Sequence, residues 1–138
     1  MATETRKAPT ASDYAEAAAL REALRAFTRR SDLVTRAQGL TARTYQLLLM
    51  IKTARDGSER IGLTELEDRL QLGKSTITEL VLRSEKRGLV RRELDPARRR
   101  GISIRLTPAG ERRLAGAFTE LGDERRRLVS LLTDFARG

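Results

Sequence analysis

The chain has 138 residues, 39% hydrophobic and 34% charged, a composition that predicts one folded globular domain with a single core. It contains no cysteine and no histidine, which excludes disulfides, thiolate nucleophiles, imidazole catalysis and zinc sites built on nitrogen or sulfur ligands. We therefore expect no enzyme activity, no metal and no cofactor. The net charge of +9 favours a polyanionic partner, nucleic acid first and a membrane surface second.

The sequence predicts no membrane segment. The longest apolar run, Leu47–Ile51, is far shorter than the ~20 residues that a spanning helix needs. The first residues, MATETRKAPTASDY, contain no apolar segment that a signal peptide requires. We therefore expect a cytoplasmic protein without a membrane partner.

A first helix is predicted after a polar tail. Residues 1–11 show no pattern and are expected to be disordered. Ser12 and Asp13 are candidate caps for a helix that runs to about Arg36 and is broken by Gly39. Its stripe repeats at spacings of four and three residues and consists of Leu20, Leu24, Phe27, Ser31 and Val34.

The second predicted helix starts at Thr41 and belongs in the middle of the core, because it is apolar nearly all round. The turn sequence Asp56-Gly57-Ser58 ends this segment. Its apolar residues are Tyr45, Leu47, Leu48, Leu49, Met50 and Ile51.

A short third helix is predicted from Thr64, because Thr64 and Glu67 have the spacing of a capping box. It contains Leu66 and Leu70, and Gln71-Leu72-Gly73 then turns the chain.

The fourth helix, Lys74 to Arg87, is predicted to end at Gly88 as a helix ends at a C-terminal glycine. At 100° per residue one face is expected on the core: Ile77, Leu80, Val81 and Ser84. The other face is rich in hydroxyls and charge and carries Lys74, Ser75, Thr76, Thr78, Glu79, Leu82, Arg83 and Lys86. Taken alone, this pattern fits an ordinary amphipathic helix as well as one that contacts base edges in a major groove.

A hairpin with an arginine-rich tip follows, in VRRELDPARRRGISIRLT. Alternating residues predict strands at Val90–Glu93 and Gly101–Leu106. Residues 88–110 hold six arginines and two carboxylates, +4 of the +9 total. Such a tip is either a solvated loop or a set of cations for the minor groove and its phosphates; the candidates are Arg98, Arg99 and Arg100. Two short helices followed by this hairpin predict a winged helix-turn-helix, with Asp95 as a tether for one arginine.

The C-terminal segment begins with Thr107-Pro108, a capping hydroxyl followed by proline at the first helical position. The repeat passes through Gly122, so either one bent helix or two helices fit; it comprises Leu114, Phe118, Leu121, Arg125, Leu128, Leu132 and Phe135. Together with Leu20, Leu24 and Phe27, the apolar members form more apolar surface than the reading head, residues 41–107, can bury. This predicts a twofold dimer built from both termini.

The segment LTELEDRLQLGKSTITELVLRSEKRGLVRRELDPARRRGISIRLTPAGERRL resembles the multiple-antibiotic-resistance regulator (MarR) family in the order and spacing of its motifs and in its GLV and LTPAG signatures. The resemblance spans residues 12 to 138. It implies a homodimeric winged helix-turn-helix regulator with a recognition helix at Lys74–Lys86 and a cleft for a small effector. It also implies that Arg100 enters the minor groove.

Three positions depart from the family pattern. Arg98 stands where the family often has an aspartate, so the usual local salt bridge is lost or passes to Asp95. Glu79 replaces a frequent basic residue, which weakens phosphate binding but suits a cytosine amino group. Leu82 and Ser84 are exchanged relative to the usual order, so that Leu82 contacts either a thymine methyl or another part of the protein.

The resulting expectation is a mainly α fold with a small β-hairpin wing. Residues 12–40 and 108–138 form the dimerisation part, and residues 41–107 the DNA-binding part. The expected function is a homodimeric transcription regulator, a repressor by family analogy, that binds a pseudo-palindromic site in double-stranded DNA. Family resemblance suggests a lipophilic or phenolic effector. The alternative is a winged-helix protein-interaction module with weak or non-specific DNA binding.

Overall fold

The computed structural model describes residues 7–137, which form a mainly helical protein with one small antiparallel sheet. Residues 1–6, most of the predicted tail, lie outside the described residues. The elements are α1 (Ala11–Ala37), α2 (Ala42–Lys52), β1 (Ile61–Gly62), α3 (Leu63–Leu70), α4 (Lys74–Lys86), β2 (Val90–Leu94), β3 (Ile102–Leu106), α5 (Pro108–Glu120) and α6 (Gly122–Arg137). The predicted winged helix-turn-helix is confirmed. Within the described residues no helix is long and apolar enough to cross a bilayer.

Helix α1 begins one residue before the predicted start, at the end of the predicted tail. Its cap is Thr10 rather than Ser12: the Asp13 N–H donates to the Thr10 hydroxyl at 3.2 Å, and the Thr10 N–H donates to the Asp13 carboxylate at 2.8 Å. This reciprocal pair is a capping box, which satisfies two otherwise unpaired N–H groups. Helix α1 ends before Gly39, whose φ of +76° favours glycine.

The core forms around α2, as its apolar character predicts. Leu47, Leu48 and Ile51 are fully buried, whereas the other apolar residues of this helix are half-buried. The sheet has the order β1-β3-β2, in which Val90 pairs with Leu106 and Ile61 pairs with Ile104. The sequence did not predict β1, because two residues are too few to show a period of two.

Helix α3 does not have the predicted capping box. It begins at Leu63 with Gly62 as the cap residue, so Thr64 already lies inside the first turn and makes no cap hydrogen bond. A capping box requires its hydroxyl on the residue before the first helical one. Glu67 is therefore available for a contact outside its own helix.

The C-terminal repeat forms two helices, which decides between the two predicted alternatives. Helix α5 ends at Glu120, with Leu121 as its cap residue, and α6 begins at Gly122; Leu121 and Gly122 are both buried. Arg125 stabilises the junction: its guanidinium donates to the Phe118 carbonyl at 2.8 Å and lies 3.7 Å above the centre of the Phe118 ring. The remaining boundaries differ by one residue from prediction: α4 ends at Lys86, β2 extends to Leu94 and β3 starts at Ile102.

The start of α5 is fixed against the turn between α4 and β2. The Thr107 hydroxyl caps α5 by accepting from the Gly110 N–H at 3.1 Å, as predicted, and donates to the Gly88 carbonyl at 2.5 Å. The Thr107 N–H donates to the Leu89 carbonyl at 3.1 Å. Gly110 is required here, because a Cβ at this position would lie 2.1 Å from the Leu89 carbonyl oxygen.

We expect Gly110→Ala to destabilise the protein by roughly 1–3 kcal/mol, because the methyl group clashes with backbone that cannot move aside as a side chain could. Gly116→Ala, on the same helix, is the control: its Cβ would meet only the end of the Gln38 side chain, at 2.8 Å. Alanine there gains helix propensity of about 0.5–1 kcal/mol. Chemical denaturation of both variants measures the difference, and equal stabilities would contradict this account.

Candidate nucleic-acid interface

Helix α4 divides into a buried face and a solvent face along the predicted line. Ile77, Leu80, Val81 and Ser84 are between 0% and 6% exposed. The opposite side is open to solvent and carries Lys74, Ser75, Thr78, Glu79, Leu82, Arg83 and Lys86, while Thr76 at its margin is half-buried. These residues line a shallow groove along the outer side of the helix. The predicted recognition residues therefore lie together on one accessible surface.

An ion pair between two residues one helical turn apart partly neutralises the charge on this surface. Arg83 donates to the Glu79 carboxylate, so the acidic group that departs from the family pattern is partnered by its own helix. With Lys74 and Lys86, the face holds three basic groups and one acidic group, a net charge of +2. Leu82 is 43% exposed on the same side, and Ser84 is buried on the opposite face, as the helical spacing predicts.

The wing has an ordered tip in the described structure. The Asp95 N–H donates to the Gly101 carbonyl at 2.8 Å, which closes the hairpin, and the Arg98 N–H donates to the Asp95 carbonyl at 3.0 Å. Gly101 has a φ of +69°, a left-handed conformation that favours glycine. The three arginines therefore project from a defined turn rather than from an unstructured loop.

Arg98 is held within the protein. Its guanidinium donates to the Arg60 carbonyl at 2.6 Å and forms ion pairs with Asp95 at 3.3 Å and Asp56 at 3.4 Å. Its stem packs against Gly62, where a Cβ would lie 3.1 Å from the Arg98 Cδ. Hydrogen bonds from the Ser58 hydroxyl and N–H lower the pKa of Asp56, and Arg98 lowers it further, which keeps this carboxylate ionised.

These contacts revise the prediction for Arg98, which belongs to the attachment of the wing and not to the charges that the wing offers outward. Because Arg98 replaces the usual aspartate, the sequence predicts two alternative outcomes for the local salt bridge: it is lost, or it passes to Asp95. The structure shows the second, an ion pair between Arg98 and Asp95. No local sequence pattern signals the further partner, Asp56, because it lies 42 residues away in the chain.

Arg99 and Arg100 differ in their surroundings. Arg99 is exposed and forms no ion pair with any residue from 7 to 137. Arg100 is paired with Glu67 of α3 at 3.0 Å, with 32% of its side chain exposed. Glu67 is thus a residue of the candidate site that sequence reasoning assigned to a cap. To meet a phosphate, Arg100 must first leave this carboxylate.

We expect Arg98→Ala to loosen the wing without unfolding the protein. Partly exposed ion pairs contribute about 0–1 kcal/mol, so the free energy of unfolding should change little. Hydrogen exchange at the amides of Asp95, Arg98 and Gly101 should become faster, because Arg98 fixes the tip to the loop before β1. Arg99→Ala is the matched control and should leave that exchange unchanged. Equal protection in both variants would show that Arg98 does not hold the tip.

The residues predicted for dimerisation divide into two groups. Leu114 and Leu121 are buried within the protomer at 6% and 3% exposure, so they support the fold rather than an exposed face. The others are exposed or half-buried on α1, α5 and α6: Leu20, Leu24, Phe27, Phe118, Leu128, Leu132 and Phe135. Val129 and Leu131 of α6, outside the predicted repeat, are also exposed. A large apolar surface thus remains on the terminal helices.

Comparison with known proteins agrees with this geometry. The family model described as MarR family matches residues 38–101, which include α2, the helix-turn-helix and most of the wing. An uncharacterised HTH-type transcriptional regulator of Bacillus subtilis, YsmB, is 39% identical over 70 residues, which are 51% of this chain and 48% of YsmB. The chain therefore spans about half the length of this curated relative.

Solved structures match over nearly the whole chain. AbsC, a MarR family transcriptional regulator from Streptomyces coelicolor, superposes with a TM-score of 0.79 at 23% identity, covering 92% of this chain and 84% of AbsC. Sco3205, a MarR family transcriptional regulator from the same organism solved in complex with DNA, has a TM-score of 0.76 at 26% identity, covering 92% and 79%. Residues 38–101 thus match the MarR family model, and the described chain has the fold of MarR family regulators.

Proposed function

We propose that this chain is a homodimeric, sequence-specific DNA-binding transcription regulator. In each protomer α4 would read the major groove while the wing lies in the adjacent minor groove of a pseudo-palindromic operator. The observation that carries the proposal is the solvent face of α4, where hydroxyls and basic groups stand beside an ordered hairpin with arginines at its tip. The Sco3205 complex with DNA supports the same ligand.

Each side chain has a distinct role in this proposal. Ser75 and Thr78, near the start of α4, contact base edges, and Lys74 with Lys86 contacts phosphates. Thr76 and Arg83 assist at the margin, and Glu79 accepts from a cytosine amino group once Arg83 turns to the backbone. Arg99 contacts phosphate, and Arg100 enters the minor groove against its phosphates.

Further properties rest on family analogy alone: action as a repressor, location in the cytoplasm and control by a small effector. The effector class suggested by analogy is lipophilic or phenolic. Thiol oxidation and histidine-bound metal are excluded as signals, because the sequence has neither side chain.

A protein-interaction module is the second candidate, and the exposure of Leu82 favours it. An apolar side chain at 43% exposure amid a charged face suits contact with another protein as well as with a thymine methyl. The partnering of Glu79 and Arg83 also lowers the net charge that α4 offers to phosphates. Base-specific binding separates the two candidates.

Selection of bound sequences from a random duplex pool tests the function directly. We expect a palindromic sequence, because a twofold dimer presents two related α4 helices. On that sequence Thr78→Ala should lose roughly 1–3 kcal/mol of binding free energy, with binding to random DNA nearly unchanged. A pool without enrichment would favour the interaction module.

Dimerisation has its own test in light scattering. We expect twice the mass of the 138-residue chain at micromolar concentration, because a dimer would cover the exposed apolar surface of α1, α5 and α6. Leu132→Asp should give monomers, since a charge in an apolar interface is costly to bury. Leu82→Asp is the matched control, because Leu82 and Leu132 are both 43% exposed. A monomeric wild type would end the dimer proposal.

The wing is tested by salt dependence on the selected sequence. Neutralising a phosphate contributes about −0.9 to the logarithmic slope of affinity against salt, so Arg100→Ala in both protomers should flatten the slope by about two units. It should also reduce any preference for A/T-rich flanks, where the minor groove is narrow. Glu67→Gln should act in the opposite direction and tighten binding by at most about fivefold per protomer, or about 30-fold for the dimer, because the competing ion pair contributes up to about 1 kcal/mol in each protomer. Unchanged slopes in both variants would remove the wing from the DNA-binding surface.

A further inference from the structure

Helix α1 carries a row of arginines on its outer side that the proposed function does not use. Arg21, Arg25 and Arg29 follow at intervals of four residues, and Arg36 lies on the same side at 100° per residue. A rise of 1.5 Å per residue places Arg21, Arg25 and Arg29 about 6 Å apart along the axis, puts Arg36 about 10 Å further on, and spreads the row over roughly 22 Å. Like charges at this spacing destabilise a helix, so the row works against α1 unless an anion offsets it.

The protein supplies little of that compensation. None of these four arginines forms an ion pair with any residue between 7 and 137, whereas Arg30, on another side of α1, pairs with Glu124 at 3.8 Å. Asp32 and Glu22 lie on this side of α1 at 100° per residue, and no guanidinium lies within 4 Å of either carboxylate in the described structure. One Asp32 oxygen is instead buried without a hydrogen-bond partner. The arginines therefore extend into solvent.

This row is continuous with the proposed DNA-reading surface. The groove along α1 from Arg21 to Arg36 shares Asp32 and Arg36 with a second groove, which Arg43 of α2 also lines. That second groove shares Glu79 and Arg83 with the groove on the outer side of α4. We call the continuous surface the arginine trough, defined by Arg21, Arg25, Arg29, Arg36, Arg43 and Arg83.

The chemistry of the trough favours a phosphate backbone over a protein partner. Leu24 belongs to the apolar surface that the proposed dimer covers, so Leu33 is the exposed leucine that remains beside the trough. The two residues are nine positions apart and stand on opposite margins of α1, about 180° apart, with the arginines between them. A stable protein interface needs a contiguous apolar centre, which this arrangement does not provide. Duplex DNA carries one charge per about 1.7 Å, and the planar guanidinium matches phosphate oxygens.

We propose that the arginine trough holds the phosphate backbone of duplex DNA that flanks the operator half-site. Each protomer would then cover more DNA than its reading head alone. The inference rests on the proposed function, which places DNA at α4. Because duplex DNA is stiff over a few helical turns, the flanks must bend toward α1 to reach the row.

The experiment compares two duplexes that carry the selected sequence. The short duplex contains about 20 base pairs, and the long one extends it by about 15 base pairs at each end. The wild type should bind the long duplex more tightly and with a steeper salt slope. Arg21→Gln/Arg25→Gln/Arg29→Gln should lose that difference, with its slope on the long duplex reduced by up to about 2.7 per protomer, while its binding to the short duplex is unchanged.

The control is Arg112→Gln/Arg126→Gln/Arg137→Gln, which removes the same charge from exposed positions on α5 and α6. It should keep the length dependence. Equal effects of the two triple variants, or no length dependence in the wild type, would overturn the inference even if the short duplex is bound specifically, and would leave an acidic protein as the partner for this face. A wild type that shows no sequence preference, but binds long random duplex through the trough, would overturn the proposed function and retain the inference.

Discussion

The arrangement of the DNA-facing elements depends on the contact between Thr107 and the turn that follows α4. A single residue separates the end of β3 from the start of α5, and its hydroxyl and N–H bond to Gly88 and Leu89. Gly110 allows the two backbones to approach closely enough for these bonds to form. The end of α4, the wing and the start of α5 are therefore joined directly by hydrogen bonds, without a flexible linker between them. A displacement of α5 would therefore be passed to α4 and the wing together, and in the proposed dimer a change at the terminal helices would alter the spacing of the two α4 helices.

Electrostatic repulsion destabilises the folded state of a chain with a large excess of positive charge, and ion pairs in the wing reduce this repulsion. Arg98 is neutralised by Asp56 and Asp95, and Arg100 by Glu67. Asp56, in the loop before β1, and Glu67, in α3, thus attach the cationic hairpin to the rest of the protein. Arg99, together with the row on α1, keeps its charge available. Arginine thus attaches the wing where a carboxylate lies nearby, and offers its charge to an anionic partner where none does.

The sequence predicts the parts of this structure that depend on local periodicity. The helices, the turn at Gln71–Gly73, the Thr107-Pro108 start and the two faces of α4 all follow from patterns within one or two turns. The errors share a different cause. Thr64 and Glu67 match a cap motif, but Ile61–Gly62 pairs with β3 and the cap residue is Gly62, two residues before Thr64. Asp95, three residues from Arg98, is a partner that the sequence predicts, but Asp56 and Glu67 lie 42 and 33 residues from Arg98 and Arg100, so no local pattern could identify them. Leu114 fits the terminal stripe but is covered by the protomer's own core.

The pairing of Arg100 with Glu67 also affects how quickly the wing would leave DNA. A regulator that searches a chromosome must release phosphates as often as it contacts them, and each release would leave a guanidinium without a partner. Here a carboxylate of α3 stands ready to receive it, with both side chains partly open to water. If Arg100 contacts DNA as proposed, the exchange of phosphate for carboxylate needs no fully unpaired intermediate. We expect the wing to leave an incorrect register quickly, so that the dwell at each non-specific position is short and the search along the duplex is fast.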